Sequence, residues 1–227
     1  MIPLRDRNPR TSTPWVNYIL IALNLAAFAW ELSLGVRFES TLASVAFVPE
    51  RFWQAGGWGA DGMSMLVSMF LHAGWLHIGS NMLYLWIFGD NIEDRLGHFL
   101  YLVFYLACGF AATMAHALLN AGSGLPAIGA SGAIAGVLGA YLVLFPRAHV
   151  MTLIPIGFFI AVRELPALLI LGLWFAIQIF SGVASIGASE AGGVAWWAHI
   201  GGFVAGLALV FVLGGTKKPA EYPEFRG

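Results

Sequence analysis

Residues 96–146 read LGHFLYLVFYLACGFAATMAHALLNAGSGLPAIGASGAIAGVLGAYLVLFP and contain no Asp, Glu, Lys or Arg. About 20 apolar residues cross the roughly 30 Å of hydrocarbon in a bilayer, so this stretch is long enough for two spans. The turn signal NAGSGLP at 120–126 divides it near its centre. The sequence therefore predicts two neighbouring membrane helices here, at 97–119 and 128–145.

The rest of the chain has the same apolar character. Hydrophobic residues make up 59% of the 227 residues and charged residues only 10%, whereas soluble domains carry about 25% charged residues. The apolar pattern predicts an all-α, polytopic membrane protein whose six transmembrane helices form one bundle. The predicted spans are 15–34, 75–90, 97–119, 128–145, 165–183 and 193–212.

Two further segments are predicted to lie outside the helices. The charge-free stretch 148–162 is short and contains Pro155 and Gly157, which favours an interfacial loop over a seventh span. Residues 35–74 contain several glycines and are predicted to form a long, partly membrane-embedded loop. The expected organisation is a cytoplasmic amino-terminal segment at 1–14, a six-helix membrane domain at 15–213 and a cytoplasmic tail at 214–227.

Basic residues indicate the orientation of the six predicted spans. One side of the membrane would carry Arg5, Arg7, Arg10, Arg95, Arg147, Arg163, Lys217, Lys218 and Arg226, and the other only Arg37 and Arg51. Basic residues concentrate on the cytoplasmic side of membrane proteins, so both termini are expected in the cytoplasm. A seventh span through 148–162 is the alternative topology, but it would break this asymmetry.

Composition and motifs exclude several function classes. With a net charge of -1 and scattered basic residues, the chain has no patch that would bind nucleic acid. Cys108 is the single cysteine, which excludes an internal disulfide and a multi-cysteine metal site. A His-Glu-x-x-His zinc motif is missing from the sequence, as is a pair of mid-span aspartates.

A hydroxyl and an imidazole stand in separate apolar spans. Ser131 lies in GASG at 129–132, and His199 lies in AHIGG at 198–202. An imidazole in a membrane helix needs a polar partner or a water-filled cavity. Both residues are predicted a few residues below the extracytoplasmic start of their helices, so they share a depth and could act as nucleophile and base.

Small residues and a second polar pair support this interpretation. Ser131, Ala135 and Gly139 form one small-residue stripe, and His199, Gly202 and Gly206 form another, which favours close helix packing. The second predicted span carries His77 and Asn81, which are four residues apart and therefore on one helix face. With the Ser131 amide, their N–H groups could stabilise an oxyanion.

The chain resembles the rhomboid family of intramembrane serine proteases in its minimal six-helix form. The resemblance rests on HIGSN at 77–81, GASG at 129–132 and AHIGG at 198–202 followed by Gly206. It departs from the pattern of many members at Met63-Ser64, where a Trp-Arg pair is common in the first loop. Ala135 also replaces an aromatic residue that stacks on the histidine in some members.

The resemblance implies that Ser131 is the nucleophile, His199 the general base, and His77 and Asn81 the oxyanion stabilisers. It implies cleavage of transmembrane protein substrates in or near their spans, from the extracytoplasmic side and without a metal or cofactor. The expected location is the bilayer of a bacterial plasma membrane, and the sequence leaves the oligomeric state open. The alternatives are a non-catalytic rhomboid-like factor that binds membrane proteins, and a transporter or channel.

Overall fold

The computed structural model describes residues 1–157, 159–186 and 194–214, and most of them are helical. The helices are α1 (Trp15–Leu34), α2 (Phe38–Val45), α3 (Pro49–Gln54), α4 (Trp58–Ser68), α5 (Trp75–Leu96), α6 (His98–Leu119), α7 (Ser131–Leu144), α8 (Ala167–Ala184) and α9 (Trp196–Val212). Strands β1 (Ile2–Asp6), β2 (His149–Ile156) and β3 (Phe159–Pro166), with a short 3-10 helix at Gly35–Arg37, complete the described elements. Each of the six predicted ranges therefore contains a helix, although α7 begins three residues later than predicted and the predicted start of the fifth span at 165 lies in β3. The predicted start at Gly193 and the tail beyond Gly214 lie outside the described residues.

Within the part of the chain that the structure describes, three helical stretches are long and apolar enough to span a membrane by themselves. They are Trp15–Val45, His98–Leu119 and Ala167–Ala184. The helices α7 and α9 are apolar but shorter, and α5 carries charged residues in its last turns.

The predicted helical membrane fold is confirmed in outline, since most described residues are helical. It is not all-α, because three antiparallel strands form a sheet in the order β1-β2-β3. The predicted loop at 148–162 is most of a β-hairpin, in which Thr152 pairs with Arg163. Gly157 has a φ of 59° at its turn, a conformation that glycine adopts easily. Pairing between strands stabilises this segment. The length and hydropathy of a sequence segment do not reveal such pairing.

The predicted loop at 35–74 is also largely helical. It contains α2, α3 and α4, and α4 runs through two of the glycines that were expected to prevent a helix. Tertiary contacts outweigh the low helix propensity of glycine here. Arg51 of α3 pairs with Asp61 of α4 at 3.1 Å, and Ser68 at the end of α4 accepts a 2.6 Å hydrogen bond from the Phe47 amide.

Helix α5 extends beyond its predicted end at residue 90, because its acidic residues bind the start of α1. The carboxylate of Glu93 accepts hydrogen bonds from the amides of Val16 and Asn17 at 2.9 and 2.7 Å. The first amides of a helix have no partner within the helix, so an acceptor there stabilises it. We call this end of the bundle, where α1 begins and α5 and α7 finish, the basal end.

Helix α7 lies at the centre of the bundle and is buried on almost every side from Gly132 to Tyr141. Its closest neighbour is α9, because glycines on both helices let the backbones approach. A Cβ atom at Gly202 would lie 2.0 Å from the carbonyl oxygen of Gly132, and one at Gly206 would lie 2.0 Å from that of Gly136. The predicted stripe on α9 thus faces α7. On α7, Gly139 of the predicted stripe meets α9, since a Cβ atom there would lie 2.3 Å from the Phe203 carbonyl oxygen.

Candidate active site

A cavity of about 1160 Å³ lies between the first turns of α5, α7 and α9 and the second half of α8. Its wall includes all four residues that the sequence analysis selected, namely Ser131, His199, His77 and Asn81. These residues come from three helices that are far apart in the sequence.

Ser131 and His199 are in direct contact. The Ser131 Oγ lies 2.8 Å from the His199 Nε2, which is hydrogen-bond distance. The close packing of α7 on α9 makes this contact possible, since a Cβ atom at Gly202 would lie 2.0 Å from the Gly132 carbonyl oxygen and would separate the two helices. A serine hydroxyl bonded to an imidazole nitrogen is the arrangement in which the imidazole can remove the hydroxyl proton.

The backbone conformation two residues before Ser131 favours glycine. Gly129 has a φ of 125°, and a Cβ atom at this position would lie 2.8 Å from the His77 Nε2 and 3.5 Å from the Ser131 Oγ. Gly129 therefore lets the His77 ring approach the serine. Ser131 begins α7, so its amide has no partner within the helix and lies at the positive end of the helix dipole.

His77 is positioned to donate a proton from Nε2. Its Nδ1 accepts a hydrogen bond from the Ala73 amide at 3.3 Å. A neutral imidazole carries one proton, so acceptance at Nδ1 leaves the N–H at Nε2. That nitrogen points to the space beside Gly129, where an oxyanion formed near Ser131 would need a donor.

Asn81 lies one turn further along α5. Its side-chain Nδ2 donates a 3.0 Å hydrogen bond to the His77 carbonyl oxygen, which fixes the amide on the cavity wall. A carboxamide nitrogen carries two protons, so one N–H is left for a second acceptor.

His72 packs behind His77 and supports it. The two rings lie edge to face with centroids 5.0 Å apart, and His72 is almost fully buried. Burial, together with the nearby His77, lowers the pKa of His72 to about 4. His72 is therefore neutral at pH 7 and adds no positive charge beside the site.

Helix α8 supplies two contacts to His199 that the sequence analysis missed. The Gln178 Oε1 lies 2.7 Å from the His199 Nδ1, and the Trp174 ring lies 5.9 Å from the imidazole, centroid to centroid. The edge of Trp196 also approaches the imidazole, at 6.3 Å. Gln178 could have been identified from the sequence, because it is the one amide side chain in the charge-free stretch 165–189.

Comparisons with known proteins agree with these observations. A family model described as the rhomboid domain matches residues 59–216. Rhomboid protease GluP from Bacillus subtilis is 31% identical over 91% of this chain and 36% of its own length. Rhomboid protein 1, mitochondrial, from Saccharomyces cerevisiae is 29% identical over 84% of this chain and 51% of its own length.

The chain thus spans between about a third and a half of the length of these relatives. The family match covers most of the chain and includes all three motifs, at 77–81, 129–132 and 198–202. This chain belongs to the rhomboid family of membrane proteins.

Proposed function

We propose that this protein is an intramembrane serine endopeptidase that cleaves other membrane proteins in or near their transmembrane segments. The observation that carries the proposal is the 2.8 Å contact between the Ser131 Oγ and the His199 Nε2. The contact lies on the wall of a cavity that also exposes His77 and Asn81. The similarity to Rhomboid protease GluP supports the same reaction.

The proposed reaction begins with proton transfer from the Ser131 Oγ to the His199 Nε2. The Oγ then bonds to the carbonyl carbon of the scissile peptide, and the carbonyl oxygen becomes an oxyanion. The Ser131 amide, the His77 Nε2 and the Asn81 Nδ2 donate hydrogen bonds to that oxygen. His199 next gives its proton to the leaving amine, so the peptide bond breaks and an acyl-serine remains.

Hydrolysis of the acyl-serine repeats these steps with water. His199 removes a proton from the water, whose oxygen attacks the acyl carbon. The same three donors stabilise the second oxyanion. When the acyl carbon–Oγ bond breaks, Ser131 recovers a proton from His199 and the carboxyl product leaves.

We also propose that α1, α5, α6, α7, α8 and α9 each cross the bilayer, with both termini in the cytoplasm. The site would then lie near the extracytoplasmic surface, since α7 and α9 both begin there. A bacterial plasma membrane is the proposed location, and the similarity to a Bacillus protein supports it. Transmembrane substrates are the proposed partners, and they would reach the site from the lipid.

The test is cleavage of a labelled single-span substrate by the purified protein in liposomes. We expect wild-type protein to produce a defined fragment and Ser131→Ala protein to produce none above background. Cleavage by folded Ser131→Ala protein at the wild-type rate would refute the proposal. If wild-type protein binds the substrate but never cleaves it, a non-catalytic binding role replaces the protease.

A further inference from the structure

Gln178 is a buried amide in an otherwise apolar helix. Its helix, α8, reads ALLILGLWFAIQIFSGVA, and only 5% of Gln178 is exposed. An amide in an apolar environment that forms no hydrogen bond is strongly unfavourable. Gln178 has a hydrogen-bond partner in His199, because its Oε1 lies 2.7 Å from the His199 Nδ1.

This contact determines which imidazole nitrogen carries the proton. An amide oxygen can only accept a hydrogen bond, so the His199 Nδ1 must be the donor. A neutral imidazole has one N–H, and the Nε2 is then left with a free lone pair. The Nε2 is the nitrogen that lies 2.8 Å from the Ser131 Oγ, so the bond to Gln178 selects the tautomer that can accept the serine proton.

Aromatic packing holds α8 where Gln178 can make this bond. Phe175 of α8 stacks on Phe203 of α9, with ring centroids 4.1 Å apart and planes 14° apart. Phe203 follows His199 by one helical turn, so the stack sets the register between the two helices close to the imidazole. Trp174 packs against both His199 and Phe203, at 5.9 and 6.1 Å.

We propose that Gln178 is a positioning residue that holds His199 in its reactive tautomer, in the place that a carboxylate occupies in a serine protease triad. The inference rests on the proposed protease function. Because the amide is neutral, Gln178 would orient the imidazole without stabilising the charge that His199 gains during the reaction. Helix α8 would thus contribute to catalysis although it carries neither the nucleophile nor the base.

The experiment compares two substitutions of Gln178 in the liposome assay. Gln178→Met keeps the length of the side chain but has no acceptor, so we expect kcat to fall about 10²-fold with little change in KM. Gln178→Glu keeps an oxygen at the same place and should restore cleavage. Its negative charge should also raise the pH of the acid limb of kcat/KM by about one unit or more.

A matched control is Ile177→Met, which introduces the same side chain at the neighbouring position. Ile177 is 49% exposed on the outer face of α8, so this variant should cleave like the wild type. The inference is wrong if Gln178→Met retains the wild-type kcat. It is also wrong if Gln178→Glu neither restores cleavage nor moves the acid limb.

A second measurement separates this inference from the protease proposal. Nitrogen NMR of ¹⁵N-histidine-labelled protein reports the tautomer of His199 whether or not any substrate is cleaved. We expect the Nδ1–H form in Ser131→Ala protein and its loss when Gln178→Met is added. An unchanged tautomer would overturn the role of Gln178, whereas failure of wild-type protein to cleave any substrate would count against the protease proposal alone.

Discussion

At the scale of single residues, the site combines groups with different tasks. Ser131 and His199 would make and break bonds, whereas His77 and Asn81 would only donate hydrogen bonds to an oxyanion. Loss of a reacting group removes the reaction path itself. Loss of one donor leaves the others in place, so the two kinds of substitution should differ in severity.

His77→Ala and Asn81→Ala should each reduce kcat about 10²- to 10³-fold and leave measurable cleavage, because one oxyanion donor contributes roughly 2.7–4 kcal/mol. The measurement is single-turnover cleavage of the labelled substrate in liposomes. His149→Ala is the matched control, since His149 is exposed on β2 at the basal end and should be dispensable. Full activity in His77→Ala protein would remove this residue from the proposed oxyanion site.

At the scale of secondary-structure elements, the contact between α7 and α9 decides whether the site can form. A Cβ atom at Gly206 would lie 2.0 Å from the Gly136 carbonyl oxygen, while one at Gly172 of α8 meets nothing within 4 Å. Substitution of alanine at each of these two positions therefore distinguishes the effect of helix packing from the effect of helix propensity.

Gly206→Ala should destabilise the protein by about 1–3 kcal/mol through overpacking and reduce cleavage, because it moves His199 away from Ser131. Gly172→Ala should be neutral or stabilising by up to about 1 kcal/mol, since alanine favours a helix. Thermal unfolding in detergent and the cleavage assay would measure both effects. Equal behaviour of the two variants would contradict the packing described for α7 and α9.

The half-buried carboxylate of Asp6 links strand β1 to the basal end of the bundle. The Asp6 Oδ2 accepts hydrogen bonds from the Tyr141 hydroxyl at 2.7 Å and from the Asn91 side chain at 3.0 Å. The pKa of Asp6 is raised to about 6, mainly by burial; the Tyr141 hydrogen bond lowers it and the nearby Asp90 raises it. The folded protein therefore keeps a proton that the unfolded chain loses near pH 4.

This difference predicts that Asp6 contributes less to stability as the pH rises from about 4 to about 6, and a constant amount above that range. Asp6→Asn protein has no carboxyl group to ionise at this position, so its unfolding temperature should depend less on pH. Unfolding temperatures of the two proteins, measured in one detergent from pH 4 to pH 8, would reveal the difference. Parallel curves would show that the pKa of Asp6 is not raised in the folded state.

Long apolar helices could be predicted because length and absence of charge are local properties of the sequence. The β-hairpin could not, since its stability comes from pairs such as Thr152 with Arg163, which only the folded chain brings together. The sequence did not predict helix α4 for the same reason. Its Asp61 pairs with Arg51 of α3, and this tertiary contact opposes the low helix propensity of the glycines on either side of Asp61.

The candidate site was predictable where a polar side chain stands out in an apolar span. This reasoning found Ser131 and His199. It did not find Gln178, because the packing that brings α8 against the imidazole is a property of the folded chain. The tautomer of His77 could not be inferred from the sequence either. It depends on the hydrogen bond from the Ala73 amide, which is a detail of the loop before α5.

At the scale of the whole molecule, the proposal requires the site and the basal end to face opposite sides of the membrane. The loop between α6 and α7 would lie outside and the connection between α7 and β2 inside. Gly122 and Arg147 are exposed positions in these two segments. The native Cys108 is buried, so new surface cysteines can be labelled selectively.

In intact cells, a membrane-impermeant maleimide should label Gly122→Cys protein but not Arg147→Cys protein. Permeabilised cells should label both. The reason is that α7, between the two positions, would cross the bilayer once. Labelling of both variants, or of neither, in intact cells would contradict the proposed topology.

The central claim is that His199 activates Ser131 inside the bundle, and labelling with a fluorophosphonate serine probe tests it most directly. We expect mass spectrometry of the folded protein to find the probe on Ser131, and we expect His199→Ala protein, which retains the serine, to label far more slowly. Folded wild-type protein that never labels at Ser131, or His199→Ala protein that labels at the wild-type rate, would contradict the claim.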